Sequence, residues 1–462
     1  MCSLRSLDSS VALRAPARPL LTKELWDAVS GRALWTMLLI LCPLVGYSFV
    51  QAVALYNEAS VAALQSPTLA SGLSPLDGVL VPTCGAFYVA VTLLFPFVAI
   101  RALGLEKESG ALRLLIQLPY RPPTLIAAKL AVVVAAWLLS SLPILAALAL
   151  WSALGGHLYA PETLNLLFGH LLYGMLVGTI ALFAAAISDN AATAAIITLA
   201  FTIASWVLDF TAAGHPGILE WLSRLSLTQM LRTFEQGLLL ARVVLAVAIG
   251  VCAFTALAAI WLPPGVPLRR KLARSAVCIA AAAAALALAT QVKASIDVAE
   301  DRRNSFPPAD QRALARLGAP LVITARFAPE DPRYSDLQRN VIAKLERTMP
   351  DVTVRLAGGR QSLVGIESDE SYGEVEYAYG ARRATSRSTS PREILPLLYG
   401  LADTPVPLPD PAEDYPGYPL VASGQAAFAW FYGVGPVLIV GAWWWSRRPP
   451  ATPAVNSRRR QS

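Results

Sequence analysis

The residues that ordinarily carry chemistry are few in this chain and poorly placed for it. There is no GxxxxGK[ST] loop to cradle a nucleotide phosphate on backbone amides and a lysine, and neither HExxH nor GxSxG occurs. The three histidines, His157, His170 and His215, all lie outside the polar stretch that precedes the C-terminal apolar run. Cys2, Cys42, Cys84, Cys252 and Cys278 form no CxxC pair, and four of them stand in apolar runs, so neither a zinc site nor a disulfide framework is supported. Two carboxylate pairs, Asp369 with Glu370 and Glu374 with Glu376, have the chemistry for acid–base work. In a strand, however, Glu374 and Glu376 share one face, and without a cleft they read more simply as a solvated edge. The expectation is a chain that is not an enzyme and holds no catalytic residue, metal or cofactor of its own.

The stretch from Leu105 to Pro119 says more. Read as a helix, it gathers Leu112, Leu115, Ile116 and Leu118 on an apolar face, places Glu106 and Glu108 near its start, where carboxylates favour the helix dipole, and stops at Pro119. Such a face suits a lipid surface or the groove of a cytoplasmic partner, and amphipathicity alone does not choose between them.

Positioning this segment falls to a chain built for a membrane. Of its 462 residues 55% are hydrophobic and only 15% charged, more apolar area than a soluble domain of that length buries. A span needs about 20 apolar residues. Eight stretches qualify: Ala33 to Ala52, Leu80 to Ala102, Leu125 to Leu150, Leu164 to Ile187, Ala191 to Val207, Val243 to Leu262, Ser275 to Val292 and Gln425 to Trp445. The seventh, Ala-rich rather than Leu-rich, is the weakest. A cleavable signal ending near Ala52-Val53-Ala54 is rejected, because the long lead-in contains Asp8, Glu24 and Asp27. Within the spans, Pro43, Pro96 and Pro143 are expected to kink their helices, and Gly174 with Gly178 allows close helix approach, read as packing within the chain. Between spans five and six, Glu220 with Arg224 and Arg232 with Glu235 read as a pair of interfacial or re-entrant helices.

Basic residues resist translocation in short loops, and here they cluster before the first span, between Arg101 and Lys129, at Arg269, Arg270, Lys271 and Arg274, and after Arg447. That places both termini inside. The net charge of +7 is therefore a topology and anionic-lipid signal rather than a nucleic-acid one.

The resulting fold class is an all-α polytopic membrane protein of about eight transmembrane helices, with a small extracytoplasmic α/β domain inserted before the last helix. Residues 1–32 form a cytoplasmic lead-in with an interfacial helix, 33–265 a six-helix domain, 266–292 a basic hinge and the seventh span, 293–423 the inserted domain with a Pro-rich linker, 424–446 the eighth span and 447–462 a basic cytoplasmic tail. In the insert, Leu321 to Phe327, Val352 to Leu356 and Glu374 to Tyr379 read as strands, and Asp336 to Met349 and Pro391 to Leu401 as helices. Tyr372, Tyr377, Tyr379, Arg382 and Arg383 are the aromatic and arginine groups that binding surfaces favour.

Two resemblances add to this. The run Glu106, Glu108, Gly110, Leu112, Leu115 and Pro119 after the second span, followed by Lys129, resembles the permeases of ABC-2-type exporters, and Lys23-Glu24-Leu25 through Arg32 and Trp35 looks like that family's entry helix and first span. This resemblance covers about residues 20 to 265. It implies that the Glu106 to Pro119 segment couples to a separate ABC ATPase subunit, which would hold ATP and Mg, and that a second copy or a related permease completes the assembly in the inner membrane. The insert, from Ser295-Ile-Asp297 and Arg302-Arg303 through Pro329 to Arg333 and Tyr379 to Arg383, looks like a shortened form of the extracytoplasmic auxiliary domain found with gliding-motility-type ABC transporters. The function implied is that of an exporter's membrane subunit, with an extracytoplasmic protein as a further partner. Two other readings stand beside it: an ATP-driven device that transmits force and moves no solute, and a membrane-anchored binding or sensor protein.

Overall fold

A chain in hydrocarbon must satisfy its backbone N–H and C=O groups internally, so the long apolar runs fold as helices. A computed structural model describes residues 17–118, 120, 122–211, 226–328, 331–357, 371–408 and 415–447. In chain order the helices of the bundle are α1 (Ala17–Ser30), α2 (Arg32–Ala63), α3 (Leu76–Glu108), α4 (Ala111–Gln117), α5 (Pro122–Ala153), α6 (Ala160–Ile187), α7 (Ala191–Thr211), α8 (Leu227–Glu235), α9 (Ala241–Trp261) and α10 (Leu268–Ala289). Among the described residues, eight helices are long and apolar enough to cross a membrane. They are α2, α3, α5, α6, α7, α9, α10 and a C-terminal helix over Gln425–Ser446, so the Ala-rich seventh run does form a helix of spanning length. Of the three prolines, Pro143 coincides with a break at Ser141 that divides α5, whereas Pro43 and Pro96 lie inside unbroken stretches. Of the interfacial pair expected between spans five and six, α8 carries Arg232 and Glu235; Glu220 and Arg224 lie outside the described residues.

The most enclosed span is α6, which packs against α3, α5, α7, α8 and α9. Small residues make this possible. A Cβ added at Gly174 would stand 2.2 Å from Cδ1 of Trp137, and one at Gly178 would stand 2.4 Å from Cγ1 of Val133. Both glycines therefore seat α5 against α6 within one chain, as expected from their spacing. By contrast α10 rests on α9 and is buried over only 11% of its apolar window. Val277, Ile279 and Leu288 are left exposed around it, apolar side chains suited to lipid.

The insert is carried on a stem. Strand β1 (Leu238–Leu240) pairs antiparallel with β2 (Ser295–Asp297), with Leu239 opposite Ile296. Beyond it come α11 (Pro308–Leu314), β3 (Leu321–Ala325), α12 (Pro332–Leu337, a π turn Gln338–Ile342, then Ala343–Thr348), β4 (Val352–Leu356), β5 (Val375–Tyr379), β6 (Arg382–Ser386) and α13 (Pro391–Ala402), before the last span, α14 (Gln425–Ser446). The sheet order is β4-β3-β5-β6, with β3 and β4 parallel and the other pairs antiparallel. Alternating burial along β3 puts Leu321, Ile323 and Ala325 into a core with Phe306, Phe327, Leu337, Leu345 and Tyr399. Asp331 caps α12 by accepting from the backbone N–H of Arg333 at 2.9 Å. The expected elements are present, β2 and α11 are additions, and so is β6. It pairs through a two-residue turn in which Gly380 has φ +59°, the left-handed geometry that such hairpins need.

The chain from Tyr418 to Ala422, leading back to the membrane, is held against α2. Tyr56 on α2 donates to the Tyr418 carbonyl at 2.6 Å, and Leu420 N–H and Ala422 N–H donate to Ser60 Oγ and Asn57 Oδ1 at 2.9 and 3.0 Å. These three groups lie beyond Ala52, where the first apolar run ends, and explain why α2 continues to Ala63. Substituting Gly174→Val should force α5 away from α6 and cost about 1–3 kcal/mol of stability; a melting temperature in detergent equal to that of the parent would show that the two helices do not meet in this way.

Candidate functional site

The end of α3 is a joint. Its last three residues are Glu106, Lys107 and Glu108, and each engages a different part of the bundle. Glu106 faces Lys129 on α5 at 2.7 Å and Lys23 on α1 at 2.6 Å. Lys129 also meets Glu24 on α1 at 2.5 Å, so two carboxylates bracket one ammonium. The side chains of Lys129 and Glu24 are only 3% and 4% exposed. A lone charge buried to that degree would cost several kcal/mol, and the paired arrangement is what allows it. Lys23 adds contacts to Glu24 and Asp27, both at 3.3 Å. Partial burial works against its charge, but the hydrogen bond to Glu106 and the charge of Glu24 outweigh that and raise its pKa above the ordinary lysine value.

Lys107 points elsewhere. Its ammonium donates to the carbonyls of Ala185, Ala186 and Ser188, at 3.0, 2.9 and 2.5 Å, closing the C-terminal end of α6 where unsatisfied carbonyls and the helix dipole favour a cation. Glu108 accepts from the backbone N–H of Ala191 at the start of α7, at 3.4 Å. Three consecutive side chains thus fasten the end of α3 to α1, α5, α6 and α7. Gly110 follows with φ +76°, a conformation that a residue with a Cβ resists, and turns the chain into α4.

This changes the reading of the 106–119 segment. It is not one helix. Glu106 and Glu108 close a spanning helix instead of opening an amphipathic one, because Gly110 ends α3 before α4 begins at Ala111. Leu112 is 7% exposed and joins the bundle core, and Leu115 is partly buried against it. The apolar residues left free on α4 are Leu114, 67% exposed, and Leu118 just past its end. Pro119 lies outside the described residues. Beside the joint a cavity of about 250 Å³ opens between α1, α2 and α3, lined by Glu24, Gly31, Leu34, Arg101 and Glu106 among others. Glu24 is the partner that spacing did not reveal. The available signal was Lys129 itself, a lysine inside an apolar run that requires a buried counter-charge.

At the other end of the bundle a second polar cluster holds the insert. Arg303 bonds Asp77 at the start of α3, Asp301 at 2.8 Å and Ser74 Oγ at 3.0 Å. Glu300 faces His157 at 2.9 Å and accepts from the Tyr418 hydroxyl at 2.5 Å, while the His157 and Tyr418 rings stack with centroids 3.6 Å apart. The hydrogen bond to the Glu300 carboxylate, helped by burial, pushes the Tyr418 hydroxyl up to about 12.

The surface expected on the insert is only partly a surface. Tyr377 is fully buried in the domain core, because β5 alternates and Tyr377 falls on its inner face with Val375. Tyr379 packs partly against that core, and its hydroxyl accepts from Ala319 N–H at 3.2 Å. Arg382 and Arg383 remain exposed, donating to the Leu401 carbonyl and to Glu376, both at 3.3 Å. Glu374 and Glu376 also face Arg326, at 3.8 Å each, so this edge is a set of ion pairs; Asp369 and Glu370 lie outside the described residues.

Residues 18–237 match the family of ABC-2 transporter proteins. The matched stretch runs from α1 through α8 and contains the whole joint; it is a little under half of the chain. Together with the eight apolar helices it marks a multi-pass membrane protein that carries a domain similar to those of ABC-2 family transporter proteins. No curated protein and no solved structure matches the chain.

Removing the central cation tests the joint. Lys129→Met should cost about 3–5 kcal/mol, since Glu24 and Glu106 would stay buried without it. Adding Glu24→Gln and Glu106→Gln to that variant should recover most of the loss. Thermal unfolding in detergent reads both effects, and equal melting temperatures for parent and single variant would refute the assignment.

Proposed function

We propose that the chain is the transmembrane subunit of an ATP-driven exporter, that α4 is its contact with a separate ABC ATPase, and that ATP and Mg are held on that partner. The observation that carries this reading is the joint: the short helix α4, which leaves Leu114 exposed, follows across the Gly110 turn on three charged residues that together fasten four other helices of the bundle. A push on α4 would act through the Gly110 turn on the end of α3 and, because ion pairs and packed helices resist small deformation, would pass on as a rigid displacement. One chain offers one such contact. ATP hydrolysis of this kind uses paired sites, so the assembly would contain a second permease, identical or related. The distribution of basic residues supports insertion in the cytoplasmic membrane with both termini and α4 inside and the insert outside.

The two clusters favour a second reading for part of the cycle. Arg303, Glu300 and Tyr418 tie the insert to the ends of α2, α3, α5 and α6, so a displacement of the bundle would reach the inserted domain whether or not a solute moves. The insert would then act by contact with an extracytoplasmic protein, in the manner of the gliding-motility auxiliary domains it resembles.

Leu114→Asp together with Leu118→Asp should abolish co-purification with the ATPase while leaving the melting temperature unchanged, because a desolvated groove rejects unpaired carboxylates. Unaltered capture would leave α4 as a helix resting on lipid. Leu112→Asp, in contrast, should damage the fold itself. For the topology, single cysteines at Ala381 and Ser457 in a cysteine-free background should react with an impermeant thiol reagent on intact cells at 381 and not at 457; the reverse pattern would invert the orientation.

A further inference from the structure

Where the insert meets the bundle, two adjoining cavities share one wall, and that wall is Arg347. The larger, about 660 Å³, is lined by Arg302, Lys344 and Arg347 with Asp297 as its single carboxylate. That carboxylate is already committed. Asp297 accepts from Ala299 N–H, Asn304 N–H and Asn304 Nδ2 at 3.2, 3.1 and 3.2 Å, closing the turn at the foot of the insert. The cations are held in place by neutral groups. Lys344 donates to the Ser305 carbonyl at 3.3 Å and lies over the Phe306 ring, and Arg347 donates to the Asn304 carbonyl. Arg302 has φ +50°, a strained backbone for a residue with a side chain, at the rim of the same cavity.

The smaller cavity, about 330 Å³, reaches the membrane end of this junction. It is bounded by Arg242 in the first turn of α9 and by Lys293 just beyond α10, together with Arg347, and its carboxylates are Glu346 and Asp351. Among the described residues, no carboxylate stands within 4.0 Å of Arg242, Lys293, Arg302, Lys344 or Arg347. Burial, and then the like charge of Arg347, lowers the Lys344 pKa against the opposing charges of Asp297 and Asp301, and burial lowers that of Arg347, where the charge of Asp297 opposes it and that of Arg242 adds to it. The cations are thus kept together partly desolvated, with Asp297 as the nearest opposing charge in the larger cavity.

We propose that this junction is a binding site for a phosphate-type oxyanion, carried by a phospholipid headgroup or as a free phosphate. Arginine supplies the planar fork that suits phosphate oxygens, and lysine a mobile point charge. At the cavity end of α10 Leu288 is exposed one turn before Lys293, an apolar side chain against which the acyl chain of a lipid can lie with the headgroup in the cavity. The anion would relieve the repulsion between Arg347 and its neighbours and bridge the stem of the insert to α9 and α10. Occupancy would then set how firmly the insert follows the bundle.

The full chain reconstituted in nanodiscs tests this with two probes, phosphatidylglycerol in the disc and inorganic phosphate in solution. Phosphatidylglycerol retained by the parent in native mass spectrometry against a phosphatidylcholine background, and retained about tenfold less by Lys344→Gln or Arg347→Gln, identifies a headgroup site. A melting temperature that rises with inorganic phosphate in phosphatidylcholine discs, and rises less in those variants, identifies a free-phosphate site. Arg302→Gly guards against misfolding as the explanation, because glycine accepts the positive φ and should keep or raise the melting temperature while weakening binding. Equal lipid retention by parent and variants, with no response to phosphate, overturns the proposal.

Discussion

Lys129 sets the terms for one end of this molecule. An ammonium carried into the interior on an apolar helix is tolerated only if carboxylates reach it, and here they come from two other helices, Glu24 on α1 and Glu106 on α3. Satisfying that one charge therefore fixes where the lead-in helix lies and where the second span ends. The neighbours of Glu106 continue the arrangement: Lys107 uses the open carbonyls of α6 and Glu108 the open N–H at the start of α7. Close packing alone would let helices slide along their axes. Ion pairs and capped ends fix their register.

The rest of the bundle is graded in how firmly it is held. Glycines at 174 and 178 let α5 approach α6 to contact distance, and α6 becomes the centre on which other spans pack. Farther out, α10 leans on α9, and α14 is seated on α2 by Phe431, whose ring fills the space that a side chain at Gly46 would need. These outer spans are the ones that flank the insert in sequence. The inserted domain is thus joined covalently to the most loosely packed helices, while its polar contacts run to α2, α3, α5 and α6. Motion of the well-packed helices can reach it through those contacts.

The insert shows how a small core decides which residues face outward. Its strands put Leu321, Ile323 and Tyr377 on one side of the sheet, and the amphipathic helices close over them. Tyrosine is a common residue in binding surfaces, but its ring is equally useful as core filling when strand alternation turns it inward. Arg382 and Arg383 remain outside because a guanidinium is far harder to desolvate than a phenol.

Taken alone, the sequence determined what depends on local composition and period: eight apolar runs of spanning length, the α/β character of the stretch before the last of them, the strands and helices within it, and the glycine pair between α5 and α6. Each is legible because hydrocarbon thickness, helical period and strand alternation act on neighbouring residues. It also drew attention to the 105–119 segment, through an amphipathic pattern and through the resemblance of Glu106, Glu108, Gly110 and Lys129 to a run in ABC-2-type permeases. What it could not supply is partnership across the chain. That Lys129 answers Glu24, that Lys107 closes α6, that Leu112 faces inward while Leu114 stays free, and that Tyr418 returns to stack on His157 all rest on contacts between residues far apart in sequence. Those contacts were decided by the tertiary structure, because burying a charge or a ring depends on what the fold places opposite it.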